Sequence, residues 1–162
     1  MKVFIKNKFF SLGGDSEIKN ENGEAVYYVK GSVFSFRRKK ELTDKTGKVL
    51  FTIKNKLFNW FTHKAYIYDA NNQKIATVRD KFLSFKREYF VENYKDEIKL
   101  EGGFFSLTSS ILANGEKIGE IQRKLDLFVD SFSLEADEEN IEFLTALVIA
   151  IDNIIDKKRR ED

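Results

Sequence analysis

Few residues in this chain have types and spacing suited to chemistry. His63 is the only histidine, set in Phe61-Thr62-His63-Lys64. A lone imidazole offers at most one general base and excludes a poly-histidine metal site. The chain has no cysteine, which removes thiolate catalysis, a zinc–cysteine site and a disulfide framework. No Gly-x-Ser-x-Gly elbow occurs, so the serine-hydrolase arrangement has no support. Neither a Gly-x-Gly-x-x-Gly run nor a Walker-type loop occurs, so no nucleotide cradle is evident. Asp137-Glu138-Glu139 could meet a cation, but it lacks the alternating ligands and glycine of an EF-hand loop, and capping a helix explains it. No catalytic residue, metal or cofactor is expected, and the chain reads as a non-enzyme.

Two short basic runs remain as candidates, Arg37-Arg38-Lys39-Lys40 and Lys157-Lys158-Arg159-Arg160. Elsewhere opposite charges nearly cancel, and the formal net charge is +2. Such runs can take phosphates of lipid headgroups or nucleic acid. A solvated turn and a solvated helix end account for them as well. The choice depends on the elements that carry them.

At 162 residues the chain is one domain's worth of protein. It contains a repeat: a basic or polar residue, a small or polar one, two large apolar residues and often serine. Copies begin at Lys6, Lys30, Lys54, Arg79 and Glu101, with a weaker one at Gln122. Turn signals recur in step, at Asn22-Gly23, Thr46-Gly47, Asn71-Asn72, Lys95-Asp96 and Asn114-Gly115. Such pairs suit the positive φ of tight hairpins. Two signals sharing one period mark an architectural unit. Short apolar stretches flank the turns, as at Ala25–Val29, Val49–Ile53, Ala65–Tyr68 and Ile75–Val78. They are rich in β-branched and aromatic residues and too short for independent helices. Six units predict ten to twelve strands over about residues 2–135, mostly as a meander. The absence of proline removes one device for blunting edge strands, which favours closure into a barrel.

The period changes at Ile141. From there to Ile155 apolar residues cover the whole helical circumference, as in a helix buried in a core or spanning a membrane. Interrupted by Glu142, Thr145, Asp152 and Asn153, the stretch is short for a span of about 20 residues. A central helix over about 138–156 fits better, with Asp137 as N-cap and a basic tail over 157–162 beside the negative helix end. The predicted fold is mainly β: a closed antiparallel barrel of about twelve strands around a buried hydrophobic C-terminal helix. Inside it Asp152 must be paired, protonated or at the barrel mouth. The mouth is the simplest of the three.

Alternation within the repeat assigns faces. Ile5/Asn7/Phe9, Val29/Gly31/Val33, Ile53/Asn55/Leu57 and Val78/Asp80/Phe82 should point inward. Lys6, Lys8, Lys30, Lys54, Lys56, Arg79, Lys81 and Lys124 should form an outer basic belt. The small and polar inner members, Asn7, Gly31, Asn55, Asp80 and Gly102, are expected to mark bulges that bend strands into a barrel. The 16 phenylalanines should be consumed by the core, which disfavours base stacking and hence nucleic acid. Trp60, beside Phe58 and Phe61, is the best candidate for an exposed interfacial aromatic.

Lys6-Asn7-Lys8-Phe9-Phe10-Ser11, the phrase Ile18-Lys19-Asn20-Glu21-Asn22-Gly23, the repeated Phe-Ser units and the segment Leu144 to Ile155 resemble the LURP-one-related family, whose bacterial members are YxjI-like. The resemblance covers essentially the whole chain. It implies the tubby C-terminal-like fold, a twelve-stranded barrel threaded by a hydrophobic helix. Tubby domains bind phosphoinositides, and phospholipid scramblases are membrane-associated relatives. No lipid-contacting residue carries over from them, and the Pro-rich, Cys-rich extension expected of scramblases is lacking.

Together these readings describe a non-enzymatic binding or adaptor domain. The expected ligand is an anionic membrane surface, held through phospholipid headgroups by Arg37, Arg38, Lys39 and Lys40, and secondarily by Lys157, Lys158, Arg159 and Arg160. A structural or protein-interaction domain with a protein partner and no lipid contact is the alternative. A barrel carrying a small apolar ligand is a third reading. No apolar signal-peptide region follows Met1, so a cytoplasmic protein, peripheral to the membrane, is expected.

Overall fold

The computed structural model describes residues 1–6, 15–32, 35–36, 38–58, 62–81, 88–102, 107–124 and 131–161, with side chains described except at 6, 124 and 159–161. Twelve strands precede one helix: β1 (Lys2–Lys6), β2 (Ser16–Asn20), β3 (Ala25–Gly31), β4 (Lys40–Asp44), β5 (Val49–Asn55), β6 (Lys64–Tyr68), β7 (Lys74–Asp80), β8 (Tyr89–Glu92), β9 (Ile98–Glu101), β10 (Thr108–Ala113), β11 (Glu116–Lys124), β12 (Ser131–Ala136) and α1 (Glu138–Glu161). They form one antiparallel meander in which β1 also pairs with β12, placing Lys2 opposite Glu135 and Lys6 opposite Ser131. β8 and β9 are the ends of this sheet and lie side by side without a hydrogen-bonded ladder among the described residues. The barrel is therefore nearly closed, with its seam between them.

The hairpins at one end share a construction. Asn20, Asp44 and Asp69 each accept, at Oδ1, the backbone N–H groups two and four residues on, at 2.8–3.1 Å. The third residue after each, Gly23, Gly47 or Asn72, has positive φ, which glycine and asparagine adopt at least cost. Register shifts fall beside hairpin turns, at Ile18/Lys19, Leu42/Thr43, Ile67/Tyr68 and Ile111/Leu112. The expected bulges at Gly31, Asn55 and Asp80 are thus not there; the turn geometry places them at the opposite end of the strands.

Faces alternate along the strands. Ile5, Val29, Ile53, Asn55, Val78 and Asp80 are buried, while Lys30, Lys56 and Lys81 are exposed. Leu57 is exposed, against expectation, because β5 ends at Asn55 and alternation ends with it. Asn7, Lys8, Phe9, Val33, Trp60 and Phe82 lie outside the described residues.

α1 runs through the barrel, with every residue from 143 to 155 buried. It packs on β5, β6 and β7 on one side and on β11 and β12 on the other. Gly119 permits the close approach, since a Cβ there would lie 2.6 Å from Leu144 Cδ1. The core is mainly aliphatic. Among the described phenylalanines only Phe132 and Phe143 are buried, whereas Phe4, Phe36, Phe58 and Phe90 are exposed. The helix occupies the lumen with its own Ile, Leu, Val and Ala side chains, leaving room mainly for medium-sized residues on the wall. It continues to Glu161, so the basic run is helical, not a separate tail. Lys and Arg are good helix formers and oppose the negative end of the dipole. Among the described residues no helix is long and apolar enough to cross a membrane.

Candidate functional site

The meander sorts the connections between two ends. Each repeat copy spans the close of an odd-numbered strand, so these connections share one end with the last turns of α1. There the helix presents polar residues to the wall. Arg38 pairs with Asp156, and Lys40 Nζ lies 3.9 Å from Asp152 Oδ2. Asn55 Nδ2 donates to the carbonyl of Asn153 at 2.9 Å, and Asn153 Nδ2 donates to the carbonyl of Arg38 at 3.1 Å. Lys157 Nζ donates to the carbonyls of Lys56 and Leu57 at 2.6 and 3.0 Å. Asp80 accepts the His63 backbone N–H at 2.8 Å, and its other oxygen lies 3.4 Å from Lys158 Nζ and 3.5 Å from His63 Nδ1. These contacts form a clasp that seats the helix end.

Lys40 and Asp152 are only 5 % and 6 % exposed. Two such charges are tolerated as a pair, where either alone carries a large desolvation cost. Burial pushes the Lys40 ammonium down to about 8; Asp152 opposes that shift and Arg38 adds to it. Two expectations are corrected here. Lys40 is not a surface cation, and Asp152 is inside and paired, not at an open mouth.

The structure brings the two basic runs together, although Arg38 and Asp156 are 118 residues apart in the chain. It uses Arg38, Lys40 and Lys157 largely to hold the helix. Lys39 pairs with Glu41 at 2.6 Å and keeps a side chain 41 % exposed. Lys158 remains about half exposed. Arg37 lies outside the described residues, as do the side chains of Arg159 and Arg160. Sequence reasoning missed the clasp roles of Asn55, Asp80 and Asn153. The signal was present: polar residues at inward repeat positions opposite polar residues in an otherwise apolar helix.

The two ends carry opposite charge. Beside the clasp lie exposed Lys56 and Lys81, with Glu88 as a nearby carboxylate bonded to Lys81 at 2.8 Å. At the other end Glu21, Glu24, Asp44, Asp69, Asp96, Glu97, Glu116, Asp137, Glu138 and Glu139 collect around the helix N-terminus and hairpins, with Lys45, Lys48, Lys74 and Lys95 among them. Large exposed apolar side chains also favour the clasp end: Phe36, Phe58 and Leu107 are 92 %, 76 % and 64 % exposed. Among the described residues no group of three His, Asp or Glu side chains could hold a metal ion.

A model of the LURP-one-related family matches residues 1–152. No curated protein sequence matches the chain. A crystal structure of an Arabidopsis thaliana protein is similar over 94 % of this chain and 91 % of that one, with a TM-score of 0.60 and 17 % identity. At that identity the likeness speaks to the fold.

Proposed function

The chain belongs to the LURP-one-related family, and from that premise we propose that it is a non-enzymatic binding module for anionic phospholipid surfaces. The observation that carries this reading is the separation of charge along the barrel axis. Lys30, Arg38, Lys39, Lys40, Lys54, Lys56, Lys64, Arg79, Lys81, Lys157 and Lys158 gather at one end, against Asp15, Glu17, Glu41, Asp80, Glu88, Glu101, Asp152 and Asp156. Part of this arrangement stabilises the helix, whose negative end lies there. The same charges give the molecule one basic pole. Each basic residue near an anionic leaflet is worth roughly 1 kcal/mol, screened within a Debye length. Surface ion pairs such as Lys39–Glu41 and Lys81–Glu88 are weak enough for phosphates to compete with the carboxylates.

Co-flotation with phosphatidylcholine vesicles, with and without phosphatidylserine, tests this at low and physiological salt. Binding to the anionic vesicles alone is expected, weakening with salt and lost on joint neutralisation of Lys39, Lys56, Lys81 and Lys158 to Gln. Absence of binding at both salts would overturn the reading and leave a protein partner as the ligand.

A further inference from the structure

We infer that the basic end inserts apolar side chains into the bilayer interface, so that the barrel docks end-on with its axis along the membrane normal. This rests on the anionic-surface reading above and adds an orientation and a second, apolar contact. The large apolar side chains that the described residues expose are Met1, Phe4, Phe36, Leu57, Phe58, Phe90 and Leu107. Four of them, Phe36, Leu57, Phe58 and Leu107, lie in connections at the clasp end, and three of those are the most exposed of the set. Phe36 and Phe58 flank the same stretch of helix, because Asn153 bonds the carbonyl of Arg38 and Lys157 bonds that of Leu57. Their backbone neighbours are therefore fixed although the rings face solvent. By contrast, Phe90 on the wall is only 37 % exposed and lies beneath the Arg79 guanidinium, 4.6 Å from its ring centroid.

The occupant follows from charge. The described apolar groups lie in three separate connections of one end, β3–β4, β5–β6 and β9–β10. Exposed cations stand beside them: Lys56 adjoins Leu57 and Phe58, and Lys39 follows Phe36 by three residues. Rings reaching the acyl boundary with ammonium groups at headgroup level are the arrangement of an interfacial membrane contact. The acidic opposite end then faces away from the anionic surface.

The experiment compares the intact protein with Phe36→Ser/Phe58→Ser on phosphatidylserine-containing vesicles across a salt series. Each aromatic should contribute about tenfold in partitioning, the transfer of one buried side chain, with the salt dependence unchanged. Lys39→Gln/Lys56→Gln should instead flatten the salt dependence. Phe4→Ser, on the wall, should leave partitioning unaltered, and Phe36→Trp should strengthen it. Thermal unfolding should stay the same in the Phe36 and Phe58 variants, whose side chains are largely in solvent, and the Phe4 variant, whose ring is 40 % exposed, is compared below its own unfolding temperature. If the native protein binds while the double serine variant binds equally well, insertion is wrong and the electrostatic reading survives. If the native protein binds no vesicle, both fail.

Discussion

At the end where α1 enters the barrel, the β2–β3, β4–β5 and β6–β7 hairpins satisfy their polar groups within a few residues of themselves. Asp44 Oδ1 takes the backbone N–H of Thr46 and Lys48, and Asn20 and Asp69 do the same in their own turns. At the end where α1 leaves, satisfaction comes from across the chain. Asn55 bonds a residue 98 positions away, and Arg38 one 118 positions away. The first end is closed by local turn chemistry. The second is closed by a plug, and its clasp leaves Asn55 Oδ1 and Asn153 Oδ1 buried without a donor among the described residues. Exposed aromatics and lysines gather at that second end. The stability of the clasp end should therefore depend on a few long-range polar pairs, and that of the turn end on many small independent ones.

The largest expected effect is at the plug. Asp152→Ala leaves Lys40 buried without its carboxylate and should destabilise the protein by about 3–5 kcal/mol in chemical denaturation, with Lys40→Met/Asp152→Leu recovering most of it. A loss below about 1 kcal/mol would mean the pair does not hold the helix end.

A smaller effect should appear with pH. Folded Lys40 titrates at about 8, below its ordinary 10.5, chiefly through burial. Between those values the unfolded chain holds a proton that the folded chain has released, so stability must rise with pH. Tyr27 is pushed the other way, up to about 12, by burial and then by Glu142 and Glu138. Its contribution is present below pH 10 and is lost as pH rises towards 12. Unfolding free energy should therefore climb by roughly 2 kcal/mol from pH 8 to 10 and then fall. In Lys40→Met the climb should vanish; a persistent climb would assign it to another group.

The smallest effect belongs to the turn end. Asp69→Ala removes two local acceptor contacts at an exposed hairpin and should cost about 1 kcal/mol, with vesicle binding unchanged. A cost matching that of Asp152→Ala would erase the difference drawn between the ends.

The same contrast explains what the sequence revealed. Hairpins read well because Asn22-Gly23, Thr46-Gly47 and Asn71-Asn72 encode their own backbone geometry, and the inward parity of Ile5, Val29, Ile53 and Val78 follows from period two. The helix read well because it is apolar on every side. Lys40 did not, since its partner lies 112 positions away and nothing in a basic run says which member turns inward. The phenylalanines misled for a related reason. Repeat phase marks them as equivalent to one another, but equivalence in a meander fixes height along the barrel, not burial. Phe58, the fifth residue of its copy, is exposed.

The absence of cysteine makes single-site labelling clean and allows the difference between the ends to be measured directly. An environment-sensitive fluorophore would be placed at Leu57→Cys, at the clasp end, and separately at Asn71→Cys, at the turn end, and each protein mixed with phosphatidylserine-containing vesicles. End-on docking predicts a blue shift at position 57 and none at position 71. Equal shifts at both positions, or a shift at 71 alone, would contradict it.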